Sequence, residues 1–212
     1  METTHRNRTL ALTQFAMLLA IEAVVCFTPL GSIPIGPIVA TLGMVPVIVT
    51  AVLLGTGAGA AMGTFAGLFS FLVWTFMPPN PVIAFVFTPF YSVGTAHGNL
   101  WSIVICFVPR ILVGVVTGAC YNLFRRLHWK SGLVYGLSGV LGSLVNTVGV
   151  LGGIYLFFGR SYATALGTGF EVLLGLIGMT VLTNGLPEAA IGGLAAYAIC
   201  RPVQTRLART EA

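Results

Sequence analysis

Five polar side chains stand in the apolar stretches of this 212-residue chain: Glu22, Arg110 and Asn146, with Glu171 and Glu188 toward one face. Arg110 is the anomaly. It interrupts the run Asn99-Leu100-Trp101-Ser102-Ile103-Val104-Ile105-Cys106-Phe107-Val108-Pro109-Arg110-Ile111-Leu112. A guanidinium is always charged, and its planar fork of donors matches a carboxylate in two parallel hydrogen bonds. The chemistry it offers in an apolar setting is recognition of an anion. Helical rise from Asn99 places Arg110 roughly 16 Å along the axis, half of a membrane's hydrocarbon core. An unpaired charge there costs at least ~2.5–3.5 kcal/mol, so such a residue faces a protein interior, a carboxylate or a wet cavity. Pro109 displaces the carbonyl four residues earlier, which leaves Ile105 with a free acceptor and predicts a kink beside Arg110.

Glu22 falls at similar depth in the first apolar run, so two roles stand open for Arg110. It pairs with Glu22 and ties two helices together, or it holds the carboxylate of a ligand. For Asn146 the alternatives are an interhelical hydrogen bond and a ligand contact. Trp74, Tyr91 and Trp101 are aromatic anchors at a membrane boundary or the lining of a pocket. The candidate substrate-binding set is Arg110, Asn99, Asn146, Tyr91, Trp74, Asn80 and Glu188.

Other chemistries lack their residues. Lys130, the only lysine, stands in His128-Trp129-Lys130-Ser131 without the glycine of a nucleotide-binding loop. His5, His97 and His128 form no ligand cluster, and Cys26, Cys106, Cys120 and Cys200 show no metal or disulfide spacing. No enzyme, cofactor or metal site is expected.

These residues are carried by a chain that is 57% hydrophobic and 7% charged, against about 25% charged in soluble domains. The fold class expected is an all-α integral membrane protein. Apolar runs predict six transmembrane helices near 10–29, 38–54, 57–77, 100–123, 132–158 and 184–200 in one domain. A further apolar segment covers 163–183. With both termini cytoplasmic, the inner segments hold Arg6, Arg8, Arg125, Arg126, Lys130, Arg201, Arg206 and Arg209, leaving Arg160 outside. Counting 163–183 as a seventh span would put the basic tail outside, against the positive-inside tendency.

The connections carry signals of their own. Pro29 to Pro37 is dense in glycine and proline and excludes regular helix. Leu54-Gly55-Thr56-Gly57 is a tight turn that folds the second and third helices into a hairpin. Residues 78–99, rich in proline and aromatic side chains, read as a lid over an outward-facing pocket. Asn184-Gly185-Leu186-Pro187-Glu188 reads as a helix start capped by Asn184. Gly55, Gly59, Gly63 and Gly67 share one helix face, and Ala16 with Ala20 makes a smaller stripe. Both stripes allow close packing within the bundle or docking of a partner subunit.

Four stretches carry a resemblance: Pro29 through Thr41, Phe85-Val86-Phe87-Thr88-Pro89-Phe90, Gly98 through Leu112, and Asn184 through Ala189. Together they resemble the substrate-binding S component of energy-coupling factor (ECF) vitamin transporters, most nearly the pantothenate type. The resemblance implies six helices with both termini cytoplasmic, in a bacterial plasma membrane. It implies a vitamin site at the outer side, capped by 30–37 and 78–99. It also implies partners: a transmembrane coupling subunit and two ATPases, with docking through small residues such as Ala16 and Ala20. Another vitamin or precursor, such as riboflavin, folate or niacin, and a scaffold without ligand stay open as alternatives.

Overall fold

The computed structural model describes the backbone of residues 2–28, 33–35, 38–40 and 42–210 and the side chains of 8–28 and 42–205. Helix α1 runs Glu2–Phe27. The backbone then forms a small antiparallel pair, β1 (Ile33–Ile35) with β2 (Ile38–Ala40). The remainder of the predicted 29–37 turn lies outside the described residues. Helix α2, Val45–Leu54, is short. The span expected at 38–54 is corrected here: its first three residues are strand, and helix begins only where Pro46 supplies a φ suited to a first turn.

Gly55, at φ +94°, ends α2 and turns the chain directly into α3, Thr56–Phe76. A side chain is strained at that φ, so glycine makes this tight reversal possible. The two helices form the predicted hairpin, close enough that a methyl group added at Gly59 would lie 2.5 Å from Ala51 Cβ.

Residues 78–99 are ordered. A 3₁₀ helix spans Pro81–Val86, and β3 (Ser92–Val93) pairs with β4 (Ala96–His97). Phe85, Val86 and Thr88 are fully buried, and Phe85 packs edge-on against Phe158. Helix α4, Leu100–Arg126, then starts on a capping box. Asn99 Oδ1 accepts from the Trp101 N–H, and Ser102 Oγ accepts from the Asn99 N–H. Ser102 Oγ also donates to the Phe85 carbonyl at 2.8 Å, fastening the connection to the helix.

The last two helical stretches are longer than expected. Helix α5 runs Ser131–Ala165 and α6 runs Phe170–Thr205, separated by a turn in which Gly167 has φ +69°. At ~1.5 Å per residue each exceeds 50 Å, beyond a ~30 Å hydrocarbon layer even at the steepest usual tilt. The apolar segment 163–183 is divided between the end of α5 and the start of α6. The helix start expected at Asn184 is also corrected. α6 passes through it in a π-helical turn, Val181–Gly185, so Asn184 is no cap. Widening of that turn accommodates Pro187, which lacks the N–H an α-helical interior needs.

Five helical stretches are long and apolar enough to cross a membrane among the described residues, with α2 a shorter sixth. Their alternating direction brings the C-terminal halves of α1 and α3 to the same end as the N-terminal half of α4. The connection 78–99 packs over that end.

Candidate functional site

A cavity of about 600 Å³ opens at this end, within the size range of small-molecule sites. α1 contributes Glu22, Cys26 and Phe27; α3 contributes Ala66, Ser70, Val73 and Trp74. Arg110 comes from α4, Asn146 and Thr147 from α5, and Thr180, Asn184 and Glu188 from successive turns of α6. Pro79 and Phe87 of the connection complete the wall. Mostly apolar walls with a few convergent polar groups suit an amphiphilic small molecule.

Arg110 is 8% exposed. Its Nη1 donates to the Ile105 carbonyl at 2.8 Å, the acceptor that Pro109 releases. Side chains on a helix lean toward its N-terminus, so the guanidinium reaches this carbonyl one turn back. Nη2 donates to Ser70 Oγ at 3.5 Å, a long bond, and the guanidinium carbon stands 5.7 Å from the centre of the Phe87 ring. Phe87 is held by stacking on Trp74, with ring centres 4.5 Å apart. Of the five N–H donors of a guanidinium, two are engaged. Nε is buried without a partner. Thus the protein fixes the direction of the charge and leaves donors for an anion.

Glu22 is fully buried, and its Oε1 accepts from Cys26 Sγ at 3.2 Å. Its Oε2 has no partner, and neither has Asn146 Oδ1. Among the described residues Glu22 and Arg110 form no direct ion pair, and each hydrogen-bonds other groups. Three polar groups with unmet hydrogen-bonding capacity therefore share the wall of one cavity. Burying such groups unpaired costs about 1–3 kcal/mol each, a cost that a complementary polar ligand offsets.

Of the seven residues expected to bind substrate, Arg110, Asn146, Trp74 and Glu188 line the cavity. The other three stand elsewhere. Asn80 accepts from the Val82 N–H to start the 3₁₀ helix, and Asn99 caps α4. Tyr91 packs beside the Phe85–Phe158 cluster. Polar side chains next to helix starts cap them, and that accounts for both asparagines. Ser70, Phe87, Cys26 and Thr180 were not anticipated at the site, because nothing in their types or spacing marks them. The sequence does not say which face of α1, α3 and α6 turns toward Arg110, nor how the connection carrying Phe87 folds back over it.

The glycines expected to dock a partner are also accounted for inside the chain. Gly59, Gly63 and Gly67 are buried. A methyl group at Gly63 would collide with the Arg110 carbonyl oxygen, and one at Gly67 would lie 2.9 Å from Phe107. Their small size lets α3 pack closely against α2 and α4 within the chain. Ala16 and Ala20 differ, for both are exposed on α1.

Residues 10–203 match the family described as "ECF transporter, substrate-specific component". The "Pantothenic acid transporter PanT" of Lactococcus lactis subsp. cremoris is 37% identical over 164 residues, covering 77% of this chain and 76% of that protein. The "Pantothenate transporter PanT" of Leuconostoc mesenteroides is 30% identical over 156 residues, covering 69% and 68%. With its membrane-length helices, its largely apolar cavity with a few convergent polar groups, and this match across nearly its whole length, the chain belongs to the substrate-specific components of ECF transporters.

Proposed function

We propose that this chain is the pantothenate-binding subunit of an ATP-driven ECF importer in a bacterial plasma membrane. The observation that carries the substrate is Arg110, a buried guanidinium with spare donors on the wall of a cavity of small-molecule size. Pantothenate offers one carboxylate to that fork, and its amide and two hydroxyls suit Asn146 and the acidic groups. Neutral riboflavin leaves the guanidinium without such a partner. The two relatives bear names that state pantothenate transport.

Six spans with both termini in the cytoplasm put eight of the ten basic residues on the inner side. The substrate then enters from outside, past the connection 78–99. Lacking a nucleotide-binding loop, the chain relies on two ATPase subunits and a transmembrane coupling subunit. The exposed side of α1, where Leu12, Ala16, Met17, Ala20 and Val24 face outward, is the surface that subunit covers.

Thermal unfolding of the purified chain in detergent, against pantothenate, riboflavin, folate, thiamine, niacin and biotin, tests the substrate. A ligand at 100 times its Kd adds ~2.7 kcal/mol to folded-state stability. Stabilisation by pantothenate alone is the expected result. A shift with a different vitamin removes pantothenate, and no shift with any vitamin favours a scaffold.

A further inference from the structure

A carboxylate on Arg110 leaves Glu22 unexplained. Its side chain is fully buried on the same cavity wall, Cys26 Sγ occupies Oε1, and Oε2 has no partner. An ionised carboxylate only accepts hydrogen bonds. Among the described residues none offers a donor to Oε2, so a donor has to come from what the cavity takes up. The ligand's own carboxylate cannot supply it, because an ionised carboxylate carries no donor and two like charges brought together in a low-dielectric site repel.

Resting on the pantothenate reading, we infer that Glu22 is the acceptor pole of the cavity: it receives the ligand hydroxyls, while Arg110 holds the carboxylate. Cys26 is a positioning residue. Its S–H bond to Oε1 fixes the rotation of the carboxyl group and keeps Oε2 available. The two poles give the ligand one orientation, with its carboxylate toward α4 and its hydroxyl end toward α1. They also set selectivity. A site built to bond a hydroxyl discriminates against the analogue lacking it, since the buried acceptor is then left unpaired.

The test is direct binding to the purified chain of two ligands: pantothenate, and the analogue in which hydrogen replaces both hydroxyls. The wild-type protein should prefer pantothenate by about tenfold or more. In Glu22→Leu that preference should fall to near one, with analogue affinity retained. In Arg110→Ala both affinities should fall while the preference survives. Glu22→Gln, nearly isosteric, serves if the leucine variant does not fold, and its preference should shrink several-fold. An unchanged preference in the folded Glu22 variant overturns the inference, as does an equal loss of both ligands, which marks a structural role. Failure of the wild-type protein to bind pantothenate at all overturns the substrate reading itself, and this inference with it.

Discussion

Pro109 and Arg110 work as one unit. Proline frees the Ile105 carbonyl, and the next residue's guanidinium takes it up. An alanine at 109 would restore an N–H able to bond Ile105, removing the defect that orients Arg110. We expect Pro109→Ala to leave the ligand-free protein at least as stable, since an interior proline costs ~3 kcal/mol in an ordinary helix. Pantothenate affinity should fall several-fold, as isothermal titration against wild type would register; unchanged affinity would mean that Ser70 and Phe87 suffice. Arg110 was legible in the sequence because a charge inside an apolar run is an energetic exception. Its neighbours were not, since Ser70 and Phe87 are ordinary residues for a membrane helix and its connection. Asn80 and Asn99 stand off the cavity wall for the converse reason, because a polar residue beside a helix start serves as a cap as readily as it meets a ligand.

Among the elements, the α3–α4 contact decides where Arg110 stands. Gly63 lies against the Arg110 backbone, and on the other side a methyl group at Gly149 of α5 would come 3.1 Å from Pro109 Cβ. Gly63→Ala should therefore push α4 away, costing ~1–3 kcal/mol as overpacking does and weakening binding as well. Gly136→Ala on α5 is the control. Its added methyl meets nothing within 4 Å, so alanine should be neutral or stabilising by up to about 1 kcal/mol through helix propensity. Thermal unfolding of both variants checks the contrast, and equal effects would mean that Gly63 is not a tight contact. Apolar length made the long helices legible. Helix limits were hidden where the short α2 starts late at Val45, just before Pro46, and where a π-helical turn carries α6 past Pro187.

For the whole molecule, the alternation of helix direction gathers residues far apart in sequence around one cavity. The proposed orientation places Arg125, Arg126 and Lys130, between α4 and α5, and Arg201, near the end of α6, on the cytoplasmic side together with both chain ends, as the positive-inside tendency favours. Epitope tags at each end should accordingly resist protease in intact cells and be cleaved after permeabilisation; cleavage of either tag in intact cells would reverse the orientation. The measurement that bears most directly on the substrate is pantothenate affinity in wild type and Arg110→Ala, each purified and verified folded. Loss of more than about tenfold in the variant is the predicted result, as expected for one charge-assisted bidentate contact. Equal affinity in the two proteins would contradict it and remove Arg110 from the site.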